Sequence, residues 1–140
     1  MSCPEFLKKA LLQADCAVFH GESCVYSAKG RGIGPLLKAY EAEGEPLNGA
    51  LVADKIVGKA AAMLLISGKA LAVYAEVMSE KAYELLCHNN IRVEYNTLSP
   101  FIKNRQNDGP CPIEAAVKSI EAPEDGYKAI KNTLAELKIG

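Results

Sequence analysis

The chain has 140 residues, of which 49% are hydrophobic and 24% are charged. This composition can build one hydrophobic core but not two independent ones, so a single domain over residues 1–140 is predicted. The formal net charge is −1, and the lysines and arginines are scattered along the chain. No basic field attracts a phosphate backbone, so nucleic acid is not an expected partner.

The amino-terminal segment lacks the pattern of an export signal, because Glu5 and two lysines stand where an apolar run would follow a basic start. The longest apolar stretch, residues 56–66, contains Gly58 and Lys59. It is well short of the roughly 20 residues that span a bilayer. We therefore expect a cytoplasmic protein that does not enter a membrane.

The thiols and imidazoles do not form a recognisable metal or disulfide pattern. The five cysteines have no CxxC spacing: Cys3, Cys16, Cys24, Cys87 and Cys111. An odd count without that spacing argues against a disulfide scaffold and against a zinc knuckle. The two histidines are far apart in the sequence, with no HxxxH motif. Reduced thiols are expected, with neither a metal nor another cofactor, and Cys87 is assigned to packing within an apolar helix.

The first predicted elements are an amphipathic helix over residues 5–13 and a β-hairpin of residues 17–20 and 23–27. A two-residue turn would pair two sets of residues across the hairpin, Val18 with Val25 and Phe19 with Cys24. The later elements are helices over 35–43, 50–66, 80–88, 112–121 and 124–137, with strands over 70–75 and 91–95. Strands and helices alternate after the hairpin, which favours a three-layer α/β fold with a mixed sheet.

Two glycine motifs share some features with phosphate-binding loops. Residues 30–34 follow a strand and precede a helix, so they either receive an anion or form a structural turn. Pro35 stands where a dinucleotide-binding fingerprint needs its third glycine. The Gly58-Lys59 pair lacks the glycine five residues earlier and the following serine or threonine that a nucleotide phosphate loop requires. Neither motif therefore predicts nucleotide binding.

Residues 50–66 begin with charged side chains and continue as small, almost uncharged residues. The pattern predicts a buried helix with Asp54 and Lys55 at its amino-terminal end. In one interpretation Asp54 accepts hydrogen bonds from the first-turn amides. In the other, Asp54 is a general base or ligand anchor and Lys55 is its electrostatic partner.

Further candidate site residues come from the ends of later elements. Ser79 is predicted to cap the helix that begins at Glu80. The polar stretch over residues 96–110 contains Asn104 and Arg105 and is long for a simple connection. Cys111 lies directly before a predicted helix, whose field favours a thiolate, and is either a nucleophile or a bystander.

Residues 52–62 and 109–114 resemble an uncharacterised bacterial and archaeal family with a cytidine deaminase-like fold, and the match covers nearly the whole chain. The resemblance implies a three-layer α-β-α arrangement with an amino-terminal β-hairpin. In zinc deaminases, an HxE or CxE motif opens one core helix and PCxxC opens the next. The corresponding positions here, residues 53–55 and 78–82, contain none of the zinc ligands of those motifs. The resemblance therefore implies chemistry without a metal.

Two functions remain open. The first is a small-molecule-binding protein or metal-independent enzyme whose pocket lies at Asp54 and Lys55. Its other candidate residues are Cys111 as a catalytic group and Ser79, Glu80, Asn104 and Arg105 as ligand contacts. The second is a noncatalytic regulatory or protein-interaction module on a deaminase-like scaffold, for which an open sheet edge would support a homodimer.

Overall fold

The computed structural model describes residues 3–30, 32–102 and 111–139. Within these ranges the chain forms five strands: β1 (Cys16–His20), β2 (Ser23–Ala28), β3 (Leu51–Val57), β4 (Ala72–Ser79) and β5 (Arg92–Ser99). The same ranges contain six helices: α1 (Glu5–Ala10), α2 (Gly34–Glu41), α3 (Lys59–Ser67), α4 (Glu80–His88), α5 (Pro112–Val117) and α6 (Pro123–Ile139). No helix in these ranges is both long and apolar enough to cross a bilayer.

The five strands form one mixed sheet in the order β2-β1-β3-β4-β5. β1 is antiparallel to both β2 and β3, whereas β3, β4 and β5 are mutually parallel. The parallel strands are joined by α3 and α4, because parallel neighbours need a crossover connection. The predicted mixed sheet with an amino-terminal β-hairpin is therefore confirmed.

The core consists of two clusters of buried side chains. The larger contains most of α3, which is apolar on all sides and buried from Ala60 to Leu65, together with side chains from α2, α4, α5 and α6. The smaller contains Leu7 of α1. Adjacent strand residues Val52 and Ala53 belong to different clusters, so the clusters lie on opposite faces of the sheet.

The predicted helix over residues 50–66 is wrong in its first half. Residues 51–57 form β3, which lies between β1 and β4, and the helix begins only at Lys59 after Gly58. Short apolar runs do not distinguish a buried strand from a buried helix, and pairing on both sides of β3 decides the outcome here. Asp54 and Lys55 consequently lie inside a strand.

Two smaller predictions also need correction. Phe19 pairs with Cys24 as predicted, but an irregularity between Val18 and Phe19 shifts the register, so that Val18 faces Tyr26 instead of Val25. Cys87 is exposed on α4 and is not a packing residue. The helical period places this thiol outside the buried stripe that Ala82 and Leu86 form.

Candidate functional site

Asp54 is a buried carboxyl group in the middle of the sheet. It pairs with Cys16 of β1 across the antiparallel ladder, and only 6% of the residue is exposed. Burial raises the pKa of Asp54 well above its ordinary value, and the charge of Asp15 acts in the same direction. Burial likewise raises the pKa of the neighbouring Cys16 thiol. Asp54 therefore keeps its proton to a higher pH than an exposed aspartate does.

Lys55 belongs to a different environment, because successive strand residues point to opposite faces. Its Nζ lies 2.8 Å from Asp15 Oδ1, and that bond to Asp15 raises the pKa of Lys55. Asp15 Oδ2 also accepts a hydrogen bond of 2.7 Å from the Gly30 amide. Asp15 therefore accepts from both Lys55 and Gly30, the first residue of the glycine-rich segment. Asp54 and Lys55 do not form the single site predicted for them.

The amino terminus of α3 receives its cap from another helix. Gly58 occupies the N-cap position and has no side chain to offer. Glu114 of α5 supplies the acceptors instead: its Oε1 lies 2.7 Å from the Lys59 amide and its Oε2 lies 2.8 Å from the Ala60 amide. A carboxylate at this end also interacts favourably with the helix dipole.

Gly58 is required by the closeness of that carboxylate. A Cβ at position 58 would overlap the carboxylate atoms of Glu114. The backbone of Gly58, with φ −102° and ψ −171°, is extended and open to any residue. The absence of a side chain, and not unusual backbone geometry, therefore makes room for Glu114.

Ser79 lies at the same edge of the sheet, where β4 ends. Its Oγ accepts a hydrogen bond of 3.1 Å from the Ala82 amide, which confirms the predicted cap of α4. The residue is only 2% exposed, whereas Glu80 beside it is exposed. The ladder pair Val57 and Met78 places the starts of α3 and α4 side by side.

Cys111 immediately precedes α5 and is half-buried against the larger core cluster. Its amide donates a 3.2 Å hydrogen bond to the Ile102 carbonyl, and its own carbonyl accepts one of 3.0 Å from Ala115. Glu114 lies on the same six-residue helix, so its contact with α3 brings Cys111 to this edge. The predicted ligand residues Asn104 and Arg105 fall outside the described residues.

A groove of about 370 Å³ opens beside these helix starts. Its walls come from α3, α4 and the α5–α6 connection: Lys59, Lys81, Glu84, Leu85, His88, Ile120 and Glu121. Lys59 crosses to the connection, where its Nζ donates a 2.9 Å hydrogen bond to the Lys118 carbonyl. Leu85 and Ile120 provide apolar surface among charged side chains.

Sequence reasoning missed Glu114 and the groove. The signal for Glu114 was its position three residues after Cys111, the spacing of a helix-capping glutamate, but its acceptor role lies on another helix. Within ranges 3–30, 32–102 and 111–139, no group of three histidine, cysteine, aspartate or glutamate residues is arranged to hold a metal ion.

A five-stranded mixed sheet with helices that begin at the carboxyl ends of its parallel strands defines a mixed α/β protein. The chain belongs to the DUF1893 family, a domain of unknown function, whose family model matches residues 6–134. A crystal structure of a DUF1893 family protein from Thermotoga maritima is similar, with a TM-score of 0.79 and 26% identity. That similarity covers 96% of this chain and 92% of the other. Comparison with curated proteins found no match.

Proposed function

We propose that this chain is a small-molecule-binding protein or a metal-independent enzyme. Its site lies at the carboxyl edge of β3, β4 and β5, where α3, α4 and α5 begin. The main observation in support is that the Glu114 carboxylate accepts hydrogen bonds from the Lys59 and Ala60 amides. These bonds bring α5, which Cys111 directly precedes, to the start of α3. In open α/β sheets, ligands bind in the crevice outside the carboxyl ends of the strands.

The residues around this edge divide into two groups in the proposal. Cys111 is the nucleophile, and the buried Asp54, four positions before Gly58 on β3, is a general base or proton carrier. Ser79 and Glu80, at the start of α4, are proposed ligand contacts, as are Asn104 and Arg105, which lie outside the described residues. Lys55 holds β3 to the residue before β1 through its ion pair with Asp15.

A cytidine deaminase-like, three-layer arrangement is part of the same proposal. The strand order, the antiparallel β1 and the helices on both faces of the sheet support it. The helix starts that would carry zinc ligands in a deaminase carry Gly58 and Lys59 in one case and Ser79 and Glu80 in the other. These side chains suit hydrogen bonding and charge recognition more than zinc ligation.

A thermal-shift screen against cytidine, adenosine, their monophosphates and the amino acids tests the proposal. At least one compound should raise the Tm of the unaltered protein, since about a 100-fold excess over Kd stabilises by about 2.7 kcal/mol. Cys111→Ser should lose that response. The matched control Cys24→Ser, which alters an exposed thiol on the edge strand β2, should keep it.

The proposal fails if no compound in the panel raises the Tm. It also fails for Cys111 if Cys111→Ser responds as strongly as the unaltered protein does. A response that survives in Cys111→Ser but disappears in Lys81→Ala would assign binding to the groove and remove Cys111 from the site.

The second candidate is a noncatalytic module that pairs with a copy of itself through the β5 edge. Among the described residues β5 is the last strand of the sheet, and Leu98 and the nearby Phe101 are 38% and 55% exposed. Unpaired strand edges with apolar side chains favour such pairing. Light scattering after size exclusion should then give a dimer that Phe101→Lys converts to a monomer. A monomer for both proteins would count against this function.

A further inference from the structure

Glu114 contacts α3 through two hydrogen bonds. Each oxygen of its carboxylate accepts one of them from a backbone amide of α3. The two hydrogen bonds measure 2.7 and 2.8 Å, and both are partly buried. Hydrogen bonds to an ionised acceptor are roughly twice as strong as those between neutral groups. This contact is therefore a major attachment of the short helix α5 to α3.

The use of Glu114 differs from that of an ordinary helix-capping glutamate. A glutamate three residues after the N-cap commonly turns back to the N-cap amide of its own helix. Here the Cys111 amide is occupied by the Ile102 carbonyl at 3.2 Å, and Glu114 caps a different helix. Cys111 thus directly precedes the six-residue helix α5, and Glu114, which is bonded to α3, lies about one turn later on the same helix.

We propose that Glu114 is a positioning residue that, together with the space left by Gly58, holds Cys111 at the edge where α3 begins. This inference rests on the proposed function of that edge and specifies how its thiol is held in place. Glu114 acts through α5, and its carboxylate is already engaged with two backbone amides. Breaking the contact should release α5 and expose Cys111.

The contact can be broken from either side. Glu114→Gln keeps the size of the side chain but replaces one acceptor oxygen with a donor, which leaves one α3 amide without an acceptor. Gly58→Ala leaves the backbone in an allowed region, and its Cβ occupies the place of the carboxylate. Because both variants remove one shared contact, their effects should not add.

The experiment is the rate of iodoacetamide alkylation at each cysteine, followed by mass spectrometry on the full chain. We expect Glu114→Gln and Gly58→Ala each to raise the Cys111 rate about tenfold, equivalent to about 1.4 kcal/mol. The double variant should match the single ones, and the exposed Cys24 and the buried Cys16 should be unchanged in all. Glu124→Gln, which alters an exposed first-turn glutamate of α6, is the matched control and should leave Cys111 unchanged.

Unchanged Cys111 rates in both single variants would overturn the positioning role, as would rates that rise equally at Cys111 and the buried Cys16, the sign of general unfolding. If Gly58→Ala does not fold, Glu114→Gln alone decides by the same criterion. The thermal-shift response of Cys111→Ser separates the two proposals. Its loss with unchanged alkylation rates contradicts only the positioning role, and its retention with raised rates contradicts only the proposed function.

Discussion

Asp54→Asn is expected to increase the free energy of unfolding at pH 7.5 by about 1 kcal/mol or more, because each unit by which burial raises a carboxyl pKa costs the fold about 1.4 kcal/mol once the unfolded chain is ionised. The cause is the almost complete burial of the Asp54 carboxyl group, which raises its pKa well above the ordinary 3.8. Asparagine has nearly the same shape and carries no charge at any pH. Since one kcal/mol corresponds to about 4 °C for a chain of this size, chemical denaturation and Tm should both detect the gain.

The gain should depend on pH in a defined direction. Below pH 3.8 the carboxyl is protonated in both the folded and the unfolded states, so the variant has no electrostatic advantage. As the pH rises above this value, the unfolded state releases the proton while the folded state keeps it, and the unaltered protein loses stability. The loss continues until the pH reaches the raised pKa of folded Asp54. The difference between Asp54→Asn and the unaltered protein should therefore widen from pH 3.5 to pH 7.5.

Asp15→Asn provides a control of opposite sign. The bond to Lys55 and the Gly30 amide lower the pKa of Asp15, so this carboxylate stabilises the fold at neutral pH and ceases to do so as the pH falls through its lowered pKa. Asp15→Asn should be less stable than the unaltered protein at pH 7.5, and the deficit should shrink in acid. A loss of stability in Asp54→Asn at pH 7.5 would mean that Asp54 is ionised and paired, contrary to the account.

Gly126→Ala is expected to destabilise the chain by about 1–3 kcal/mol, the usual cost of overpacking a core. Alanine normally favours a helix over glycine by about 1 kcal/mol, so the expected sign is the reverse of the helix-propensity effect. Gly126 is buried in α6, and an added Cβ would overlap Met63 of α3 at its sulfur and lie 3.1 Å from its Cβ. Urea denaturation of Gly126→Ala measures the change.

Two variants test the cause of that effect. Met63→Ala in the Gly126→Ala background should recover part of the loss, because it removes the colliding side chain, although Met63→Ala alone should destabilise by leaving a cavity. Lys128→Ala, at an exposed position of the same helix, should change stability by no more than about 0.5 kcal/mol. A stabilised Gly126→Ala variant would show that α3 and α6 are not in close contact at this point.

Local signals predicted those elements whose boundaries are chemically marked. Ser79 and the terminal asparagines bracket α4, which was predicted with its observed bounds of Glu80–His88. The Gly21-Glu22 turn likewise identified the hairpin. The β3–α3 boundary was missed because residues 51–66 read as one apolar segment, and only pairing of β3 with β1 and β4 separates strand from helix.

The candidate site was predictable only in part, because its geometry depends on long-range contacts. Asp54 was identified by its charge in an apolar segment, but its separation from Lys55 follows from strand alternation that the helix prediction concealed. The bond from Glu114 to the amides of α3 joins positions 55 residues apart. No local pattern specifies which helix a glutamate will cap, and so the role of Gly58 in admitting that carboxylate was also missed.

Protection of Cys111 against iodoacetamide tests the central claim most directly, namely that a small molecule binds at the edge where α3 and α5 begin. The protein is alkylated with and without the compound that raises its Tm most, and the modified fraction of Cys111 and Cys24 is measured by mass spectrometry. The account predicts that the compound slows alkylation of Cys111 and leaves Cys24, on the edge strand β2, unchanged. Equal alkylation of Cys111 with and without a compound that stabilises the fold would contradict it.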